Sequence, residues 1–170
     1  MKRILALLLI TICFSSCEKD DICAEETTPR LVLEFYDVTN PTVKKNVTSL
    51  KVTGYISDTV LNPIPLATFN AVNKIELPLR ITEDVTKYSL ILNSTSTSVT
   101  PNTDILKFNY TRQNVYVSRA CGYKTIFTLN SPIGVTRTDN ATPDLFWMQN
   151  INIQTTNIDT ENEVHIKVFF

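Results

Sequence analysis

The sequence predicts an all-β fold, an antiparallel β-sandwich of immunoglobulin-like general architecture, and three observations point there. From Thr28 onward, short runs of apolar–polar alternation recur between turn signals. No apolar pattern of helical period is sustained. The connecting stretches are rich in Ser, Thr, Asn and Pro, the residues of turns and exposed loops. Eight or nine short strands of this kind fit a sandwich, and a lipocalin-like open β-barrel is the alternative.

The elements follow in order. Arg30 to Asp37 alternates Leu31, Leu33 and Phe35 against Val32, Glu34 and Tyr36, and reads as the first strand. Asn40-Pro41 makes a turn. Val47 to Ile56 is the second strand, in which Gly54 marks a bulge or a close backbone approach. Asn62-Pro63-Ile64-Pro65 reads as a break, because proline removes ladder donors. Lys74 to Leu79 is a short strand placed at an edge by Pro78. Lys87 to Asn93 follows, then an exposed loop over Asn93 to Thr103. Asp104 to Arg112 and Asn114 to Ala120 read as two strands of a hairpin turning at Gln113-Asn114. Tyr123 to Asn130 is a strand, Ser131 to Asp144 a second long loop, and Leu145 to Ile158 alternates again. Glu163 to Phe170 closes the chain with Val164, Ile166, Val168 and Phe170 inward and His165 and Lys167 outward.

Composition narrows the function classes. The chain is 43% hydrophobic and 19% charged, as a globular domain is. A net charge of −1 gives no basic footprint for nucleic acid. Three glycines leave no Gly-rich phosphate loop. No cofactor, metal or catalytic constellation is expected. The single histidine, His165, reads as a surface residue, and nucleophilic catalysis needs a base beside its nucleophile. Glu83-Asp84 and the group Asp159, Glu161 and Glu163 are the acids a glycan hydrolase would draw on, but they read as solvated loop charges.

The amino terminus carries the sharpest signal. Met1-Lys2-Arg3 is a positive start, and Ile4 to Phe14 is an apolar run of signal-peptide length, short of the roughly 20 residues a bilayer span needs. Ser15-Ser16-Cys17 resembles the lipobox of bacterial lipoproteins. The following Glu18-Lys19-Asp20-Asp21 resembles the signal that sends Bacteroidota lipoproteins to the outer face of the outer membrane. The expected organisation is therefore a lipoprotein signal peptide over 1–16, a lipidated Cys17 and polar tether over 17–27, and one all-β domain over 28–170. The periplasmic face is the alternative location. Multiple acyl chains hold such an anchor firmly. Cys13 leaves with the signal peptide and Cys17 is taken by lipid, so Cys23 and Cys121 are the pair left to form a disulfide in an exported protein.

Further residues carry a family resemblance. Ile22-Cys23-Ala24, Thr28-Pro29-Arg30-Leu31-Val32, Glu34-Phe35-Tyr36-Asp37, Ser118-Arg119-Ala120-Cys121-Gly122-Tyr123-Lys124 and Val164-His165-Ile166-Lys167-Val168-Phe169-Phe170 resemble an uncharacterised family of Bacteroidota lipoproteins. The resemblance implies an exported single domain and no activity. The expected function is a non-catalytic binding or accessory module, anchored to the bilayer through Cys17, with an outer-membrane protein as partner. A glycan- or small-ligand-binding module is the alternative, and Trp147 is its candidate contact, since carbohydrate sites expose aromatic rings. A hydrolase comes third.

Overall fold

The computed structural model describes Cys23, residues 27–57 and residues 60–170. Residues 1–16, expected to form a signal peptide, and Cys17 and Glu18 to Asp21 lie outside them. Among the described residues the chain is all β, with two sheets closing on one hydrophobic core. The strands are β1 (Leu31–Tyr36), β2 (Leu50–Tyr55), β3 (Leu61–Phe69), β4 (Lys74–Leu77), β5 (Val85–Leu92), β6 (Asn102–Ser118), β7 (Gly122–Leu129), β8 (Val135–Asp139), β9 (Asn150–Ile153), β10 (Asn157–Ile158) and β11 (Ile166–Phe169).

The smaller sheet runs β4-β1-β11-β9, and the larger runs β10-β7-β6-β5-β2-β3 with β8 beside β6. The larger sheet curls like half a barrel, so the sandwich expectation holds with a barrel-like side. Leu31, Leu33 and Phe35 of β1 and Ile166 and Val168 of β11 meet Val52, Leu90, Leu106, Phe108 and Phe127 across the core. Burial of this apolar face is the main stabilising term, at about 25 cal/mol per Å².

One pairing breaks the antiparallel rule: β1 and β11 run parallel, with Leu33 opposite Ile166 and Phe35 opposite Val168. All six residues of β1 are buried, the pattern of a strand covered on both faces. Its outer face is closed by a charge ladder in which Glu34 lies between Lys74 of β4 and Lys167 of β11. Glu34 accepts from Lys44 Nζ at 2.6 Å and from the Tyr36 hydroxyl at 2.7 Å. Burial works against the Glu34 carboxylate, but these bonds outweigh it and hold its pKa below the usual value.

Four sequence expectations need correction. Gln113-Asn114 is not a turn: β6 runs unbroken for 17 residues, with Gln113 opposite Ile126 and Asn114 opposite Thr125 of β7. Neither residue has the positive φ that tight hairpin turns demand. The Pro63–Pro65 stretch is not a break but part of β3. It is tolerated because β3 is an edge strand and its register with β2 shifts twice around Thr53. Gly54 lies at the second shift, and a Cβ there would stand 3.4 Å from the Tyr88 ring, so both expected uses of that glycine are present. The 131–144 loop contains β8, which with β7 forms an interrupted strand along β6; Gly134 O and Asn130 N both bond Asn109 across the gap. Finally, His165 is fully buried, not outward-facing. It precedes β11 at the parallel seam, where its backbone N–H donates to Val32 O and its ring accepts from Val32 N–H.

Candidate functional site

The real hairpin turn is at Arg119-Ala120-Cys121, closed by Gly122 at φ 70° opposite Ser118. Only glycine adopts that left-handed conformation without a steric penalty. The turn is capped by Ser118, whose Oγ accepts from Cys121 N–H at 3.1 Å. Cys121 is bonded to Cys23 by a disulfide across 98 residues of sequence, with Cα atoms 4.9 Å apart. Thr28 also lies against β7, where Thr125 N–H donates to its Oγ1 at 3.0 Å.

The outer half of β6 leaves the core. β5 accompanies only Asn102 to Asn109, and from Thr111 onward the burial alternation of β6 is lost to solvent. Near the tip, Tyr116 and Tyr123 are direct cross-strand partners, 57% and 72% exposed. Their rings meet edge-to-face at 5.4 Å.

A second surface feature opens between the sheets. Among the described residues edge strand β9 pairs only with β11, and between it and β8 lies a groove of about 490 Å³. Ile133, Val135, Ile151 and Ile153 give the groove its apolar lining, with Ile133 63% exposed. Asn150, Thr136 and Arg137 supply polar groups along it.

Trp147 does not serve as a surface platform. It is 6% exposed, packed against Phe35 and Phe170 at 6.1 and 5.5 Å, and its indole N–H donates to Leu90 O at 3.1 Å. The aromatic signal belonged to the core, because the β8–β9 connection folds inward at Trp147 and Met148. That inward turn is held by Asp104, whose Oδ2 accepts from Met148 N–H at 2.8 Å. Asp104 is fully buried, and burial raises its carboxyl to about 6. Its Oδ1 has no partner, nor do Asn102 Oδ1, Asp144 Oδ1 and Arg137 Nη1 nearby on β6, β8 and the following loop.

Three of the five acids weighed for hydrolysis are held by arginine. Glu83 accepts from Arg80 and Asp84 from Arg112, both at 2.6 Å, while Glu161 binds Arg30 through both oxygens. The bond from Arg30 holds the Glu161 pKa below its usual value. Burial lowers the pKa of His165, and its Nδ1 is already occupied as an acceptor. Among the described residues no group of three His, Cys, Asp or Glu side chains is placed to hold a metal.

A family model described as a family of unknown function (DUF6452) matches residues 49–170, the stretch from just before β2 to the last residue. No curated protein and no solved structure matches the chain.

Proposed function

Because the chain belongs to this family of unknown function, which brings no activity with it, we propose a role from its own residues: a membrane-anchored, cell-surface lipoprotein that binds a protein partner without catalysis. The observation that carries the binding half is the open edge of β9 beside the apolar β8–β9 groove. An edge strand offers backbone donors and acceptors to an extended segment, and the flanking groove offers pockets for alternate side chains. A partner strand laid along β9 would extend the smaller sheet and cover Ile133, Ile151 and Ile153. The lipobox-like Ser15-Ser16-Cys17 and the acidic residues after it carry the anchoring half. The arginine partners of Glu83, Asp84 and Glu161 support a non-catalytic reading, since these three carboxylates are already engaged in ion pairs. The burial of Trp147 removes the residue on which the glycan reading stood.

The test is site-specific photo-crosslinking in the native cell, with the reactive group at Asn152 of β9 or, as a control, at Gln113 of β6. A discrete partner adduct from position 152 alone, lost in an Ile133→Asp variant, supports the reading. Equal adducts from both positions, or none from 152, would reject the β9 edge as the binding surface.

A further inference from the structure

We propose that the tip of the β6–β7 hairpin is a membrane seat, in which Tyr116 and Tyr123, flanked by Arg119 and Lys124, rest in the lipid headgroup layer. This rests on the reading that Cys17 carries the lipid.

Covalent length sets the geometry. Five residues lie between Cys17 and Cys23, and the six Cα-to-Cα steps reach at most about 20 Å however they are arranged. Cys23 is bonded to Cys121, with their Cα atoms 4.9 Å apart. The hairpin turn is thereby held within about 25 Å of the anchored residue. The opposite end of β6, Asn102, lies 16 residues back along a continuous strand, a distance of about 50 Å. One end of the molecule is thus leashed to the bilayer, and the other can stand well away from it.

The chemistry of the leashed end suits that position. Two tyrosines sit side by side as cross-strand partners with most of their surface in solvent. A tyrosine ring is apolar and its hydroxyl polar, so it is favoured where hydrocarbon meets water. The tip from Val115 to Lys124 contains two cations, Arg119 and Lys124, and no carboxylate, which matches an anionic headgroup surface. A protein occupant would have to fit into the short space the leash leaves beneath the turn. A lipid surface is already there.

The full lipidated chain is reconstituted into phosphatidylcholine–phosphatidylglycerol vesicles whose headgroups carry a nitroxide quencher. Trp147 is the sole, buried tryptophan, so an added one can be read above it. Tyr116→Trp, and independently Tyr123→Trp, should lose about half of the added emission to the interfacial quencher. Leu145→Trp, an exposed site beyond the opposite end of β6, should lose almost none. All three sites are exposed, so folding is preserved and is verified by circular dichroism. Intact mass reports the anchor separately. An acylated chain whose Tyr116→Trp and Tyr123→Trp signals are unquenched, or quenched no more than Leu145→Trp, sinks the seat and leaves the anchor standing. A chain without acyl groups at Cys17 sinks both.

Discussion

His165 and Asp104 are buried ionisable side chains whose protons pull stability in opposite directions. The unfolded imidazole takes up a proton below about pH 6.5, but burial makes the folded ring resist it, and its Nδ1 is already accepting from Val32 N–H. His165 therefore contributes stability above that pH which is lost on acidification. Asp104 runs the other way. Its folded carboxyl titrates at about 6 and its unfolded one near the ordinary value, so the folded state gains the proton first and is favoured as pH falls through that window. Asp104→Asn removes this compensation while keeping an oxygen for Met148 N–H. Urea denaturation at pH 7 and pH 4 should show the variant losing about 2 kcal/mol more than the parent over that interval. Equal losses would mean that Asp104 ionises normally. Neither residue's position was legible in the sequence. His165 alternates as though outward, but its ring turns in to accept from Val32 N–H, a partner 133 residues away that no local pattern names. Trp147 is the single tryptophan, and nothing local signals whether such a ring points in or out.

At the level of elements, alternation found what alternation encodes. β1, β4, β5, β7 and β11 stand within a few residues of where the pattern put them. It failed where neighbours decide. Proline at Pro63 and Pro65 spoke against a strand, yet an edge position and two register shifts accommodate it. Gln113-Asn114 resembled a turn by composition, and the apolar parity changes there, from Leu106, Phe108 and Tyr110 to Val115 and Val117, although the strand itself continues. The consequence is a single β6 with two unlike halves. Phe108→Ala, in the inner half with its ring fully buried, should cost about 3–5 kcal/mol in a chemical denaturation curve. Gln113→Ala, in the outer half, should stay within about 0.5 kcal/mol of the parent. Comparable costs at the two positions would show that the hairpin's outer half is packed against something in solution.

For the molecule as a whole, the sandwich was legible because strand count, loop chemistry and alternation agreed. The partner of β1 was not. Leu33 and Ile166 are neighbours in the parallel seam across more than a hundred residues, and no periodicity names a partner at that distance. Val32 and Tyr36 on the face opposite Leu31, Leu33 and Phe35 were the available hint of a strand covered on both sides. The disulfide has a mechanical corollary. When the domain is pulled between residue 23 and residue 170, the load passes from Cys23 directly into Cys121, and the 97 intervening residues, including β1 to β6, carry no tension along their backbone. In single-molecule stretching the oxidised chain should release only the contour of residues 121–170, about 170 Å, whereas Cys23→Ser with Cys121→Ser should release about 500 Å. A domain wired this way can be tugged from its tether, and even fully yield downstream of β7's first residues, while the strands upstream of the bond stay slack.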